Sequence, residues 1–262
     1  MRWMLWIALA ASCGSDPTTE RALPTPSADS PTGDTALVVV EESFVASAIP
    51  EHDILFVVDN SCSMSDNQAA LSGSILPLVD RLNGAGMSWR IAVTSTDTSN
   101  GESCGRPHPD PPLNGKLRYS NGYRVIDSDT PAPEEVFADM VDLGTNGSGC
   151  EKGLGAAYKA LERHKDTFNA DFVRESAALH VVVISDEQDQ TEESPSPVVT
   201  LNEFKVWLNE LRPVKQFTSF SSLVCLDVGP DCYSVGSRYV DVTRNIGGVL
   251  HSIDVQPFAD PM

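Results

Sequence analysis

Residues 54–58 are five consecutive apolar residues, Ile-Leu-Phe-Val-Val, and they run directly into Asp59-Asn60-Ser61-Cys62-Ser63. An apolar run of this length without alternation reads as a parallel strand buried on both faces, which requires covering layers on either side of its sheet. Sheets of that kind place their sites outside the carboxyl ends of the strands. There, Asp59, Ser61 and Ser63 offer one carboxylate and two hydroxyls at alternate positions. Such a set of hard oxygens suits a divalent cation whose shell is completed by water.

The rest of the chain alternates strand and helix patterns. Residues 67–82 read as a helix kinked near Pro77, 89–94 as a strand, and 101–114, with four prolines, as a long loop. A third strand is expected over 116–126, then helices over 134–143 and 151–164 and a buried strand over 179–184 that ends in Ser185 and Asp186. Helix 201–211, strand 221–226, helix 240–245 and strand 249–253 complete the pattern. Alternation of this sort implies an α/β fold with a doubly wound, mainly parallel sheet and helices on both faces. At 262 residues and 41% hydrophobic, the chain has room for one such domain, expected over 50–256 and followed by a tail at 257–262.

The DxSxS triplet at Asp59, Ser61 and Ser63 resembles the metal-ion-dependent adhesion site of von Willebrand factor A domains, and the resemblance covers about residues 50–256. It implies a site built from three loops. The second loop of such domains supplies a Thr shortly before a helix. In GTNGSGCEKGLGAA, residues 144–157, Ser148 falls at that place and Thr145 is the alternative. The third loop supplies an Asp at the end of a buried strand, here Asp186, acting through water. The resemblance implies Mg²⁺ or Mn²⁺, with Ca²⁺ as an alternative, and a partner protein that offers an Asp or Glu carboxylate to the metal. Asp97, Glu151, Glu187 and Asp189 are acidic neighbours that would tune the field of the site. Such a domain binds and does not catalyse; a scaffold whose metal only holds the loops together is the second reading, and metal-assisted hydrolysis a distant third.

The first residues, MRWMLWIALAASC, carry one positive charge at Arg2 and an apolar run from Trp3 to Ala11, the form of an export signal too short to span a membrane. They resemble a bacterial lipoprotein signal (residues 1–12) with Cys13 as the lipidated residue, although Ala10 stands where such signals usually have Leu. Gly14 after the cysteine favours the outer membrane. Residues 13–49 then form a lipidated N-terminus and tether, rich in Pro, Ser, Thr and Asp over 14–36 and too poor in apolar side chains to offset its ordering entropy. The formal charge of −19, from 37 acidic and 18 basic residues, would repel phosphate backbones, which excludes nucleic acid as a partner.

With Cys13 lipidated, five of the six cysteines remain, an odd number in an exported chain. Cys225 and Cys232 flank a Gly229-Pro230 turn and form the first expected disulfide. Cys62, Cys104 and Cys150 all fall in loops at the metal face, where any two could pair; Cys104 with Cys150 is the favoured pair, leaving Cys62 free or buried beside the site. The five histidines lack HExxH or paired spacing, which argues against zinc, and His180 reads as a hydrogen-bonded core residue. No phosphate loop, EF-hand loop or GxSxG elbow is present.

Overall fold

β1 (Glu51–Val58) shows why the apolar run had to be central: every residue after Glu51 is buried. The computed structural model describes residues 51–98, 102–103, 106–107, 112–193, 197–229, 232 and 234–254. The signal, Cys13 and tether of residues 1–49, Cys104 and the tail at 257–262 lie outside them.

In chain order β1 is followed by a 3₁₀ turn (Cys62–Met64), α1 (Ser65–Ser72), α2 (Ile75–Gly84) and β2 (Ser88–Ser95). A two-residue antiparallel pair, β3 (Glu102–Ser103) with β4 (Arg106–Pro107), stands apart from the main sheet. Then come β5 (Ile126–Asp127), α3 (Pro133–Val141), α4 (Gly153–Tyr158), β6 (Ala178–Ser185), α5 (Leu201–Glu210), β7 (Thr218–Val224), α6 (Ser237–Ile246) and β8 (Leu250–Ser252). The main sheet has six strands in the order β5-β2-β1-β6-β7-β8. All neighbours are parallel except β5, which pairs with β2 antiparallel. This is the α/β, doubly wound class that the alternating pattern implies.

Side chains of a strand point alternately to opposite faces, and here both faces are packed. Ile54, Phe56 and Val58 meet Leu71 of α1, Leu78 and Leu82 of α2, and Phe137 and Met140 of α3. Leu55 and Val57 meet Leu154 and Ala157 of α4, Phe204 and Leu208 of α5, and Tyr239 and Val242 of α6. The α5 start is fixed locally. Thr200 accepts from the Glu203 amide at 3.3 Å while Glu203 accepts from the Thr200 amide at 3.0 Å, a reciprocal capping box. Among the described residues no helix is long and apolar enough to cross a membrane.

Three expected elements differ. The helix over 67–82 is two helices broken at Gly73 and Ser74, before Pro77 rather than at it. In a continuous helix the Pro77 ring would clash with the carbonyl four residues back, at Gly73; the break lets Pro77 sit in the first turn of α2, where a missing N–H costs little. The strand over 116–126 shrinks to Ile126–Asp127. Asn114 and Gly115 (φ 54° and 82°) and Asn121 and Gly122 (φ 50° and 94°) adopt left-handed conformations that a strand cannot hold, and Ser120 and Tyr123 exchange backbone bonds across the second pair as a tight turn. The helix over 151–164 starts at Gly153 and widens into a π turn at Lys159–Arg163, which releases Glu151 to the loop. His180 is hydrogen-bonded as expected but only half-buried: its Nδ1 lies 2.7 Å from Ser219 Oγ and its Nε2 2.9 Å from His52 Nδ1. Burial and the neighbouring His52 hold its pKa down at about 4.

The amino end of the sheet is tied by Arg174. Its guanidinium reaches Asp53 Oδ1 at 2.8 Å, Glu51 Oε1 at 3.2 Å and Ser88 Oγ at 2.6 Å, and its backbone amide donates to Asp53 Oδ2 at 2.6 Å. Burial still outweighs these contacts and keeps the Asp53 carboxyl above its usual range. Removing the guanidinium would therefore strand a buried charge. Arg174→Ala is expected to lower unfolding free energy by about 3 kcal/mol, read from the midpoint of urea denaturation.

Candidate metal centre

The strand register assembles the site. Val58 lies beside both Ser95 of β2 and Ile184 of β6, so the residues that follow these three parallel strands emerge together at one sheet edge. Asp59 leaves β1 fully buried, with its amide donating to the Ile184 carbonyl at 2.9 Å. Its Oδ1 accepts from the Ser61 amide at 2.7 Å, and its Oδ2 from the Ser185 hydroxyl at 2.7 Å. Ser61 Oγ lies 3.1 Å from Ser63 Oγ, and the Ser63 hydroxyl in turn bonds the Asp186 carboxylate. Ser61 and Asp186 are buried, whereas Ser63 is exposed and Glu187 half-buried. One side of the cluster therefore faces solvent.

The second loop is held against the first by its backbone. The Gly147 amide donates to the Asn60 carbonyl at 2.8 Å, and a Cβ on Gly147 would fall 2.3 Å from the Asn60 side chain, so only glycine permits the approach. Buried Gln68 of α1 donates to the Asp59 carbonyl at 2.8 Å and the Gly144 carbonyl at 3.0 Å, bridging the two loops. Ser148 is fully buried, but its amide donates to Asp97 Oδ2 at 3.2 Å and its hydroxyl accepts from the Cys150 amide at 3.0 Å. Thr145 is half-buried. The second-loop side chain that meets Asp59 is Glu151. It is fully buried, takes a hydrogen bond from Thr96 Oγ1, and its carboxyl lies against that of Asp59.

The other acidic neighbours divide by role. Asp97 anchors the second loop through Ser148. Asp189 accepts from the Leu154 amide at 3.0 Å, from Thr191 and from Arg238 Nε at 3.1 Å, so it fixes the start of α4 instead of facing the site. Glu187 stays with the cluster, where burial and the charges of Asp59 and Asp186 push it up to about 7. Burial and Asp186 raise Asp59 to about 6 in spite of its two donors. Burial and Asp59 raise Glu151 well above the ordinary carboxylate range, and burial raises Asp186. Loss of water opposes each charge first, and the neighbouring carboxyls oppose it again.

A cation reverses both effects, and the donor set fits one. Asp186 Oδ1 is buried without a hydrogen-bond partner, and Glu151 Oε1 has none beyond the contact of its carboxyl with that of Asp59, a condition that costs free energy unless a proton or a cation supplies positive charge. The oxygens are carboxyl and hydroxyl, the set that hard divalent cations prefer. Among the described residues, the group of three acidic, histidine or cysteine ligand atoms within 4.8 Å of one another is Cys225, Cys232 and Asp254. The sulfurs there are joined in the expected Cys225–Cys232 disulfide, with Cα atoms 5.7 Å apart, which leaves no thiolate for a metal. The Asp59 site is no such group of three; it joins the touching carboxyls of Asp59 and Glu151 to the hydroxyls of Ser61 and Ser63. Cys150 is also disulfide-bonded and Cys62, beside the site, is an exposed free thiol; Cys104, the expected partner of Cys150, lies outside the described residues.

No protein-family model and no curated protein matches this sequence. Among solved structures, the chain is similar to proximal thread matrix protein 1 from the mussel byssus, with a TM-score of 0.44 and 14% identity over 79% of this chain and 43% of that one. A second structure of that protein, with a zinc-occupied MIDAS motif, gives a TM-score of 0.43 and 16% identity over 78% and 42%. The chain spans less than half the length of these two structures.

Because the carboxyls hold protons too tightly in the metal-free fold, a cation must displace them. Mn²⁺ affinity is expected to fall steadily as pH drops from 8 through the values of about 7 at Glu187 and about 6 at Asp59. Calorimetric titrations in buffers of different ionisation enthalpy check this: binding should release protons, and a pH-independent affinity would contradict the assignment.

Proposed function

We propose that this chain is an exported, lipid-anchored protein of the bacterial outer membrane whose α/β domain holds Mg²⁺ or Mn²⁺ and binds a partner protein's Asp or Glu through the metal. The observation that carries the reading is Asp59. It is a fully buried carboxylate at the end of the central strand, joined to Ser61 and Ser185 and followed by the exposed hydroxyl of Ser63. Ser61, Ser63 and Asp59 would hold the metal from the first loop, and Asp186 would orient water on it.

Ser63 and Glu187 line the solvent side, so a partner's carboxylate has a path to the metal from there. A bond of that kind combines charge neutralisation with directional selectivity. The reading assigns no catalytic residue. Cys13 would carry the lipid, and the segment after it would hold the domain away from the membrane.

A thermal melt tests the metal. A cation at about a hundred times its dissociation constant stabilises the folded state by roughly 2.7 kcal/mol, a rise of several degrees for a domain of this size. That rise should appear with Mg²⁺ or Mn²⁺ relative to EDTA and vanish in Asp59→Ala. No rise with any divalent ion would end the adhesion reading. The anchor is tested separately: Cys13→Ala should move the protein from the membrane to the soluble fraction and abolish incorporation of labelled palmitate.

A further inference from the structure

We infer that Glu151, not a second-loop hydroxyl, is the direct metal ligand of the second loop, so that the chain itself brings a second carboxylate to the cation beside Asp59. The inference rests on the proposed metal reading and specifies its ligand set. Four observations support it. Glu151 is fully buried, its carboxyl lies against that of Asp59 closely enough for the two to share a proton that a cation would displace, and its Oε1 has no other hydrogen-bond partner. Thr96 holds Oε2 from the end of β2, leaving Oε1 as the free atom on the carboxyl that faces Asp59. The backbone of Glu151 is fixed as well, since its carbonyl accepts from the Gln190 amide at 2.6 Å and the next residue, Lys152, donates its amide to Thr96 at 3.1 Å. Ser148, by contrast, has a hydroxyl engaged by the Cys150 amide and an amide engaged by Asp97.

The consequence is electrostatic. Asp59 and Glu151 together balance the charge of a divalent cation from within the chain, before Asp186, Glu187 or any partner is counted. Such a cation is bound tightly by the domain and attracts an outside carboxylate less strongly than one held mainly by hydroxyls would. A partner then approaches from the side of Ser63, the exposed hydroxyl, past half-buried Glu187.

Mn²⁺ titration of the purified full-length chain, followed by electron paramagnetic resonance of the free ion, tests the inference with wild type, Glu151→Gln, Glu151→Ser, Ser148→Ala and Asp59→Ala. Melts in EDTA establish that each variant is folded, and E151S provides a second replacement beside the isosteric E151Q. The expected result is that both Glu151 variants weaken Mn²⁺ binding by at least about tenfold, while S148A stays within about threefold of wild type. Wild-type affinity in both folded Glu151 variants, or a larger loss in S148A than in either, would overturn the inference and leave the metal reading standing. Failure of the wild type itself to bind Mn²⁺, with D59A indistinguishable from it, would remove the metal reading and this inference with it.

Discussion

The burial of Asp59 at the carboxyl end of β1 couples the fold of this protein to its site. β1 can be apolar throughout only because helices cover both faces of the sheet, and the same coverage removes water from the first polar residue after it. The backbone around that residue is committed elsewhere: its amide goes to β6, its carbonyl accepts from Gln68, and the next carbonyl, that of Asn60, holds the second loop through Gly147. The carboxyl therefore cannot turn outward to recover its hydration without dismantling three loops. Ser61 and Ser185 compensate in part, yet burial still dominates and the pKa stays near 6. On the proposed reading, a bound cation would resolve that imbalance.

Much of this was legible from local pattern. Five apolar residues ending in Asp59, Ser61 and Ser63 marked the central strand and its loop, and the run into Ser185 and Asp186 marked the neighbouring strand. Parallel pairing of β1 with β6 then brings the two loops together, because strands that run the same way end at the same edge. The one strand that differs, 116–126, does so where two Asn-Gly pairs each place two residues in left-handed conformations, a cue present in the sequence but outweighed by the surrounding Leu, Tyr and Val.

The second loop shows the limit of motif spacing. Counting back from a helix start at Gly153 selects Ser148, and α4 does begin there, but the count does not say which way the loop turns that hydroxyl, which here accepts from the Cys150 amide. Residues 150–152 stay in the loop, with Glu151 pinned by Thr96 and Gln190, and the acidic side chain is carried inward. A lone glutamate in a segment of small residues was the available signal. Its meaning depended on which strand ends lay next to it, which no local pattern encodes.

Charge sets the final constraint on what this edge can bind. The chain as a whole carries −19, but exposed charges more than about 8 Å away are largely screened at physiological salt. The cluster of Asp59, Glu151, Asp186 and Glu187 is different, since Asp59 and Glu151 are out of reach of counterions and interact at low dielectric. Fully ionised, the four carry twice the charge of one divalent cation, so metal alone leaves negative charge at Asp186 and Glu187. Asp186 bonds the Ser63 hydroxyl and Glu187 is half-buried, and both carboxyls can stay protonated without unfolding anything. On the proposed reading, Asp59 and Glu151 would hold the metal, and Asp186 and Glu187 would tune how strongly it attracts a partner. A partner suited to such an edge brings a carboxylate for the cation together with donors, from Lys, Arg or backbone amides, for Glu187 and Asp186.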